Sequence, residues 1–472
     1  MEFINREREV RVIKEAIKLS KKKLYSIVVT GLRRVGKTRL ILESLKNYDY
    51  LYIFVDENKG IKQLLLEVEE ELKAKKIIKE YVSIKNFREF LEILADNYNG
   101  VVVFDEFQNF YKIDKSVFGE LQRFFDLYEG RKNLLFIFSG SLIGLIKKTF
   151  SAKAPLYGRI KKQLILKPLS FSSILQMCKK LNIIDFEEVL KLYFVFSGYP
   201  RYYIAIEDES LKGRTFNEII KRFFLEYDAV LEEEIEKIVT MEFGRRKRIY
   251  YAILEAIADG KNTLSEIASA LNLKQTSITR QINELINFFE FVKWEQQVIG
   301  KKKIYLINHP LIEFWFRFFY KHYSIYKRRE KRFFDLFWEE INKFFGMRFE
   351  NFIVENLQLI LNKEFTKIGR QWGKIKGKPK GQNTYEIDIL AINESTKHLL
   401  ACECKWQHRV NAAKVAKELV EKLSYVDWYS KERKESLAIF ARSFSKRITN
   451  YEGRKVYCYD LKDLERVVKQ KI

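Results

Sequence analysis

The stretch that decides the fold runs from Tyr25 to Thr38 and reads YSIVVTGLRRVGKT. Tyr25 to Thr30 is apolar and β-branched, which is typical of a strand buried in a parallel sheet. Gly31 to Thr38 matches the pattern G-x-x-x-x-G-K-S/T, and an amphipathic helix follows from Arg39 to Lys46. A strand, a glycine-containing loop and a helix in this order predict a P-loop that binds the phosphates of a nucleotide.

The chemistry of phosphate binding gives these loop residues their expected roles. Phosphate oxygens need several backbone N–H groups pointing into one hollow, which a glycine-tolerant loop at a helix N-terminus supplies. Lys37 is expected to reach the β and γ phosphates of ATP, and the Thr38 hydroxyl is expected to ligate Mg²⁺. The candidate nucleotide contacts in this segment are Gly31, Arg33, Arg34, Val35, Gly36, Lys37, Thr38 and Arg39.

Acidic and hydroxyl side chains follow two further predicted strands. Val101 to Phe104 is a buried strand that ends in Asp105 and Glu106. Because the carboxyl ends of parallel strands meet at one edge of a sheet, we expect Asp105 to be a Mg²⁺ ligand. Glu106 is expected to orient or deprotonate the attacking water. A third apolar run, Leu134 to Phe138, precedes Ser139, which either senses the γ-phosphate or belongs to a small-residue turn.

Two more apolar runs, Tyr50 to Val55 and Gln163 to Leu166, complete the N-terminal pattern. Short buried strands that alternate with helical segments predict a doubly wound α/β fold with a five-stranded parallel sheet. The fold class expected for the N-terminal part is therefore that of a P-loop NTPase with a helical lid.

The first half of the chain contains six short motifs: FINRE from Phe3, the pair Arg33-Arg34, FDEFQNF from Phe104, FSGS from Phe138, LYGR from Leu156 and SGYPRY from Ser197. Together they resemble the archaeal ATPase family, in the AAA+/STAND branch of P-loop proteins. The resemblance implies that Arg159 is an arginine finger or γ-phosphate sensor, in cis or in trans; a plain surface arginine is the alternative. It also implies that Asn5, Arg6 and Pro200 lie near the nucleotide base.

Composition narrows the class of protein and its partners. The chain has 472 residues, which suggests two to four domains. Its formal net charge of +24 favours a polyanionic partner, which is nucleic acid, an acidic membrane surface or nucleotide, and nucleic acid is preferred. A merely basic surface is the alternative. The four cysteines lack the spacing of a zinc site or a disulfide framework. With no apolar leader and no apolar stretch long enough to cross a bilayer, we expect a cytoplasmic protein with no membrane partner.

The middle of the chain has the pattern of a winged helix-turn-helix. Helical periodicity runs over Ile249 to Ala258, Thr263 to Leu271 and Lys274 to Phe288. Two strand-like runs, Phe291 to Gln296 and Lys303 to Leu306, follow and are joined by a Lys-rich loop. The third helix is expected to offer short polar side chains to base edges and the wing to offer charge to phosphates, although such domains also serve as protein-interaction or lid modules.

An aromatic and basic connector follows, predicted over 311–345. Its sequence HPLIEFWFRF begins at His309 and favours an aromatic helix face packed in a core; it also resembles the C-terminal module that commonly follows archaeal ATPase domains. Basic residues between Lys321 and Arg332 form either a solvated helix face or a phosphate-contacting segment.

Two adjacent strands near the C-terminus carry opposed carboxylates. YEIDILAIN and HLLACECKW predict an antiparallel hairpin, and if Asn393 pairs with His398, then Asp388 lies opposite Glu403. Lys405 then lies on the same face as Glu403. Opposed carboxylates favour a divalent cation between them, and a lysine beside that cation is suited to position or activate water.

A helix from Gly346 to Leu361 with Glu350 precedes these strands, and the spacing is similar to the PD-(D/E)xK nuclease core. The resemblance implies a restriction-endonuclease-like domain with Mg²⁺ or Mn²⁺ held by Glu350, Asp388 and Glu403, and with Lys405 as a catalytic residue. The usual proline before the aspartate is replaced by Ile387. A degenerate core that holds DNA or a partner without cutting is the alternative, and Lys414 and Lys422 are either phosphate contacts or solvated lysines.

The sequence therefore predicts an ATP-binding and ATP-hydrolysing, DNA-associated protein, which could also assemble as a homo-oligomer. The predicted domains are an ATPase domain with helical lid (1–240), a winged helix (241–310), the connector (311–345) and a nuclease-like domain (346–472). The alternatives are a STAND-type nucleotide-gated switch and a transcription regulator, in both of which the C-terminal domain binds without cleaving.

Overall fold

The computed structural model describes residues 1–470, except 142–143, 145, 147–148, 153, 244–246, 376 and 380–381. The chain divides into two compact units. The first comprises Met1–Ser173, Gly198–Glu209 and Asn287–Glu290; the second comprises Ile174–Ser197, Ser210–Ile286 and Phe291–Ile472. Among the described residues, no helix is long and apolar enough to cross a membrane.

The first unit is built on a five-stranded sheet in which all neighbouring strands are parallel, in the order β2-β3-β4-β1-β5. This confirms the predicted doubly wound parallel sheet. The strands are β1 (Tyr25–Thr30), β2 (Tyr50–Phe54), β3 (Val101–Asp105), β4 (Leu135–Gly140) and β5 (Lys162–Ile165).

Helices connect these strands, and their apolar stripes face the sheet. The helix after β1 begins at Lys37, directly behind Gly36, so the loop and the helix N-terminus are continuous. The described helices of this unit are Glu7–Ser20, Lys37–Leu45, Ile61–Ala74, Phe87–Asn97, Phe110–Ile113, Ser116–Tyr128 and Pro200–Asp208, with a 3₁₀ turn at Phe107–Asn109; the helix Phe171–Lys180 crosses the boundary between the units.

An aromatic core holds β3 and β4 in place below the loop. Phe104, Phe136 and Phe138 are fully buried, and the ring centroids of Phe104 and Phe138 lie 5.9 Å apart in a stacked arrangement. Burial of an aromatic side chain stabilises a core by about 1.5–3 kcal/mol. Packing of these aromatic rings on one face therefore fixes the position of β3, the short strand that ends in Asp105.

Three helices and a hairpin in the second unit follow the order predicted for the middle of the chain: Lys247–Ala258, Leu264–Ala270 and Gln275–Asn287, then β6 (Val292–Gln296) and β7 (Lys303–Ile307). The middle helix begins with a capping box, in which the Thr263 hydroxyl accepts from the Glu266 N–H and the Glu266 carboxylate accepts from the Thr263 N–H. β6 and β7 pair antiparallel, with Trp294 opposite Tyr305.

The aromatic run after the hairpin lies in the core, as its spacing favours. Pro310–Trp315 is helical and continues into a π-helical turn at Phe316–Tyr320, and Phe314 packs against Phe224, Phe318 and Phe344. The other helices of this unit before its sheet are Phe186–Phe196, Phe216–Ile220, Glu234–Phe243, Tyr323–Lys327 and Lys331–Leu361, with a π-helical turn at Lys221–Leu225.

A mixed six-stranded sheet completes the second unit, in the order β14-β15-β12-β10-β9-β8. β9 is antiparallel to β8 and β10, whereas β10, β12 and β15 are mutually parallel neighbours. The elements are β8 (Lys367–Lys374), β9 (Thr384–Asn393), β10 (His398–Lys405), β11 (Val410–Asn411), β12 (Lys434–Ala441), β13 (Phe444–Lys446), β14 (Asn450–Tyr451), β15 (Arg454–Tyr459) and the helices Ala412–Leu423 and Leu461–Gln470.

Two expectations about organisation differ from the structure. The helix expected from Gly346 begins at Lys331 and runs unbroken to Leu361, so the boundary placed between 345 and 346 falls inside one helix. The aromatic residues that continue its apolar stripe upstream, including Phe333 and Phe337, are buried. The segment 1–240 is also divided between the two units, because Ile174–Ser197 and the residues after Ser210 belong to the second.

Candidate functional site

The loop between β1 and its helix has a backbone that glycine alone accommodates at two points. Gly31 has φ 155° and Gly36 has φ 96°. A Cβ atom on Gly31 would lie 2.5 Å from the carbonyl oxygen of Leu166. Such a close approach leaves no room for a side chain, so the sequence pattern at these positions follows from the loop's geometry.

Lys37 and Thr38 lie at the start of the helix, next to the acid that ends β3. The Lys37 amine is buried and donates to the carbonyls of Gly31 (2.9 Å) and Leu32 (3.2 Å). The Thr38 hydroxyl donates to Oδ2 of Asp105 at 2.7 Å, and the Tyr52 hydroxyl donates to the same oxygen at 2.6 Å. The structure therefore brings together the hydroxyl and the carboxylate that were predicted to share a Mg²⁺ ion.

Glu106 lies beside this pair in a strained backbone conformation, with φ 54°. Its carboxylate accepts hydrogen bonds from the Ser141 hydroxyl at 2.8 Å and from the Gln108 amide. The hydroxyls of Thr30 and Ser139, at the ends of β1 and β4, are buried and have no hydrogen-bond partner among the described residues. Buried unpaired hydroxyls at the carboxyl edge of the sheet fit a site for a polar ligand.

The residues expected near the nucleotide base also gather around the loop. Asn5 donates to the Ser173 hydroxyl at 2.6 Å, and Arg6 donates to the carbonyls of Lys167 (2.5 Å) and Val35 (3.5 Å). A Cβ atom on Gly36 would meet Pro200 at 3.6 Å.

The remaining loop candidates occupy different positions along this surface. Arg34 adopts φ 67° and is exposed, whereas Arg33 is half-buried. Arg39 is exposed and donates to the Met1 carbonyl at 3.4 Å. An open cavity of about 570 Å³ lies next to Asn5 and is also lined by Phe3, Val10, Lys14 and Glu43. That volume is within the range of small-molecule pockets.

Arg159 is not part of this group. It lies just before β5, and its carbonyl accepts from Ser26 near the start of β1, at the amino end of the parallel strands. Its guanidinium pairs with Asp126 at 2.9 and 2.8 Å and donates to two carbonyls, of Pro155 and Tyr157. The loop is at the carboxyl end of the same strands, so the implied contact of Arg159 with the nucleotide of its own chain is not found in this structure. A contact in trans stays a prediction.

The second candidate site is at the β9–β10 hairpin, whose register is the predicted one. Asn393 pairs with His398, and the ladder runs to Ile389 opposite Cys402. One step further, Oδ2 of Asp388 accepts from the Cys404 N–H at 2.8 Å, which places Asp388 beside Glu403. Burial, together with repulsion from Glu403, raises the pKa of Asp388 to about 6.

Glu403 is buried, with 3% of its surface exposed, and is paired with two lysines. Lys405 Nζ lies 2.7 Å from its Oε1, as the alternation along β10 predicts, and Lys422 Nζ lies 2.9 Å from its Oε2. Lys422 comes from the helix Ala412–Leu423, whereas Lys414 on the same helix is exposed. A buried carboxylate needs such partners to offset its desolvation.

Glu350, from the helix Lys331–Leu361, joins the site through an arginine on the edge strand. Arg370 of β8 pairs with Oε2 of Glu350 at 2.8 Å. Burial raises the pKa of Glu350 to about 8; Arg370 opposes this shift, while Asp388, Glu386 and Glu403 add to it. Three acidic side chains from a helix and two strands therefore influence one another, and Arg370 and two lysines balance their charge.

The fit to a divalent cation differs from what the sequence predicts. Among the residues that the structure describes, no group of three or more His, Cys, Asp or Glu side chains is arranged to hold a metal ion. Thr38 with Asp105, and Asp388 with Glu403, each supply one pair of oxygen-bearing side chains. A cation at either place would need its other ligands from phosphate, backbone or water.

Two surfaces are expected to contact nucleic acid. On the helix Gln275–Asn287 the early polar residues Gln275, Thr276 and Arg280 are exposed. The basic segment after Lys321 is largely neutralised, because Glu232 pairs with Lys327 (2.9 Å) and Arg329 (2.7 Å), and Glu330 pairs with Arg328 and Arg332.

Sequence reasoning missed Arg370, and it named Lys422 only as a phosphate contact or a solvated lysine and not as a partner of Glu403. Lys422 is next to Leu423, which belongs to the buried stripe of an amphipathic helix. The helical periodicity of the sequence could therefore have indicated that Lys422 lies near the sheet. Arg370 lies in β8, whose alternation is obscured by glycines at 369 and 373 and by a bulge. Only the fold reveals that it reaches Glu350.

Comparisons with known families match two parts of the chain. Residues 3–206 match a family described as an ATPase domain found predominantly in Archaea. Residues 315–417 match a second family, described as archaeal and bacterial proteins of unknown function.

Relatives extend these matches. An uncharacterized protein of Methanocaldococcus jannaschii is 30% identical over 482 aligned residues, which cover 98% of this chain and 99% of that one. The structure of the Walker-type ATPase of Pyrococcus abyssi is similar with a TM-score of 0.53 and 23% identity, over 67% of this chain and 96% of that one. The ORC2 protein of Aeropyrum pernix matches with a TM-score of 0.49 and 14% identity, over 67% and 93%. At 23% identity the Pyrococcus structure shows a shared fold.

Proposed function

Because the chain belongs to the archaeal ATPase family, we propose that it is an ATP-hydrolysing, DNA-associated protein whose C-terminal domain is a metal-dependent nuclease. The single observation that carries the first half of this proposal is the 2.7 Å hydrogen bond between Thr38 and Asp105 at the P-loop. It joins two different segments of the chain at the point where the phosphates of a nucleotide would end.

The ATPase mechanism follows from the side chains at this edge. Lys37, now bonded to loop carbonyls, exchanges those partners for β- and γ-phosphate oxygens and neutralises charge that develops during transfer. Thr38 and Asp105 would hold Mg²⁺, which would neutralise negative charge on the phosphates. Glu106 orients the attacking water and accepts its proton, with Ser141 fixing the carboxylate. The Ser139 hydroxyl, which has no hydrogen-bond partner in the described part of the chain, is suited to donate to the γ-phosphate.

The three helices and hairpin of the second unit support a winged helix that contacts DNA. The order of elements agrees with that architecture, and the exposed polar side chains near the start of Gln275–Asn287 suit contacts with base edges. The excess of 87 lysines and arginines over 63 acidic residues adds attraction to phosphate.

The C-terminal sheet supports the nuclease-like assignment in two ways. Its core elements run in the order helix, β8, β9, β10, helix, β12, with the acids on the helix, β9 and β10. The pKa of Asp388 is raised by burial and by Glu403, which is the electrostatic condition that a bound cation would relieve. Mg²⁺ or Mn²⁺ between Asp388 and Glu403 would supply a Lewis acid for phosphodiester hydrolysis.

The chain's own residues account for the rest of that reaction. Lys405, half-buried next to Glu403, is placed to orient water toward a phosphodiester and to stabilise the negative charge that builds up. Lys422 holds the Glu403 carboxylate in place by donating to both of its oxygens. Arg370 fixes the position of Glu350 through their 2.8 Å contact.

Arg159 is the one residue whose proposed role requires the protein to self-assemble. Its position at the amino end of the strands means that a γ-phosphate role needs the nucleotide of a second copy. Asp126 would then exchange its arginine for solvent.

The proposal is tested by ATPase and nuclease assays with Mg²⁺ and with Mn²⁺, with and without duplex and branched DNA, on wild type, Lys37→Ala and Asp388→Ala. We expect ATP turnover to be lost in Lys37→Ala alone and nicking to be lost in Asp388→Ala alone. If the protein hydrolyses ATP but does not nick DNA, and if DNA binding survives Asp388→Ala, the protein is a nucleotide-gated switch or a transcription regulator and not a nuclease. Absence of ATP turnover in the wild type would overturn the proposal that the protein hydrolyses ATP.

A further inference from the structure

The tip of the β6–β7 hairpin is held by the C-terminal sheet. Gln297 and Val298 are buried, with 5% and 3% of their surface exposed. Val298 belongs to the same apolar core as Ile387, Leu399 and Ala401 of β9 and β10. A Cβ on Gly369 of β8 would touch Val298 at 3.4 Å, so the strand and the tip are in close contact.

Hydrogen bonds join the hairpin tip to the edge strand β8. The Val298 N–H donates to the Arg370 carbonyl at 3.3 Å, and the Gln297 amide donates to the Trp372 carbonyl. The buried Gln371 side chain accepts from the Ile299 N–H at 2.9 Å and donates to the Ile299 carbonyl at 3.2 Å. Buried polar groups with paired partners of this kind fix one geometry, because each loses its bond if the surfaces separate.

The tip bonds to β8 at the place where the pairing with β9 is irregular. Gly369 pairs with Leu390 and Gln371 pairs with Ile387, so Arg370 alone faces two residues, Asp388 and Ile389. Bulges of this kind occur next to functional sites and re-aim side chains. Here the residues of the bulge include Asp388 and Arg370, and Arg370 holds Glu350 at 2.8 Å.

We propose that the hairpin tip, residues 297–299, is a positioning element for the acidic site, because it braces the bulge that carries Asp388 and Arg370. This inference rests on the proposed function, since it assigns the regulation of the same site. A tip that is held here is not available as a free wing. DNA would therefore contact this unit through the helix Gln275–Asn287, and any force that lifts the hairpin would loosen the site.

The test uses Gln371→Leu, which keeps the side-chain volume and removes both bonds to Ile299 as well as the 3.4 Å bond to the Tyr385 hydroxyl of β9. The matched control is Gln296→Leu, because the Gln296 amide bonds to the Gly300 carbonyl at 2.9 Å within the hairpin itself. Hydrogen–deuterium exchange of the full-length protein is measured on peptides from 367–374 and 385–392, and Mn²⁺-dependent cleavage is measured alongside. We expect exchange in both peptides to rise and cleavage to fall in Gln371→Leu, each by about tenfold.

The two readouts separate the inference from the function on which it rests. If exchange in Gln371→Leu stays within about twofold of the control, the tip does not brace the bulge and the inference is overturned. The inference is also overturned if exchange rises while cleavage by an active enzyme is unchanged. If the wild type does not cleave but exchange rises in Gln371→Leu alone, the bracing contact stands and the nuclease proposal fails.

Discussion

The Thr38 hydroxyl and the Asp105 carboxylate are joined by a 2.7 Å hydrogen bond, although they lie 67 residues apart in the chain. The contact exists because β1 and β3 both flank β4 in a parallel sheet, so their carboxyl ends meet at one edge. A threonine and an aspartate in this relationship are a ready pair of oxygen ligands. The proposed ATP hydrolysis depends on this pair of side chains.

Glu106 is expected to act in hydrolysis and not in binding. In Glu106→Gln the side chain keeps its shape and can still accept from Ser141, but it cannot take a proton from water. We expect ATP turnover to fall about 10²–10⁴-fold with ATP affinity nearly unchanged. Glu70→Gln, on an exposed position of the helix Ile61–Ala74, is the control and should match wild type. Equal losses of affinity and turnover would contradict a role in proton transfer.

Arg159 gives the test of whether the site is completed in trans. Because its guanidinium pairs with Asp126 away from the loop, Arg159→Ala should leave ATP affinity unchanged at protein concentrations where the chain is monomeric. If a second copy supplies the arginine, the specific rate of the wild type rises with protein concentration, and that rise disappears in the variant. A loss of affinity in the monomer would show that the arginine reaches its own nucleotide.

The half-buried Asp388 makes the stability of the fold depend on pH. Its folded-state pKa, raised by burial and by Glu403, is about 6, against about 3.9 in the unfolded chain, so the folded state binds more protons between these values. The free energy of unfolding therefore falls as pH rises through that window. Asp388→Asn removes this loss and should be more stable than wild type by about 1–3 kcal/mol at pH 8, with the difference vanishing toward pH 4.

Urea unfolding at pH 4, 6 and 8 measures this difference, with the exposed Asp427→Asn as the control. An equal effect of Asp388→Asn at all three pH values would mean that the carboxyl titrates normally.

That the P-loop, Asp105 and Ser139 lie at one edge of the sheet could be predicted from the sequence, because each segment has its own local pattern. The glycines at 31 and 36 are required by backbone geometry, and the apolar runs fix the strand ends that bear Asp105 and Ser139. The β9–β10 register was predictable for the same reason, since a short connection fixes which residues oppose each other.

Features that depend on tertiary contact could not be predicted in that way. The pairing of Arg370 with Glu350 links a bulged strand to a helix, and the sequence pattern of the hairpin tip suggested a free wing where Val298 is in fact buried. Arg159 was assigned from a motif, and a motif does not say at which end of the sheet it lies. The predicted helix is shorter than the observed one, which begins at Lys331, because the aromatic residues before Gly346 also suit a connector.

Contact with DNA through the helix Gln275–Asn287 predicts a specific loss in a double variant. Lys274→Ala with Arg280→Ala removes two exposed cations, and the slope of log affinity against log salt should become less steep by about 1–2. Fluorescence anisotropy over a range of salt concentrations measures the slope. Lys462→Ala, exposed on the C-terminal helix, is the control. Identical slopes in the double variant and wild type would exclude this helix from the interface.

ATP binding at the P-loop is tested most directly by calorimetry, which measures the affinity of the purified full-length protein for ATP in the presence of Mg²⁺. We expect saturable one-site binding to wild type and a loss of at least about 2 kcal/mol of binding free energy in Lys37→Ala, since a charge-assisted contact to phosphate is removed. Absence of binding to the wild type, or equal binding to both proteins, would contradict the account.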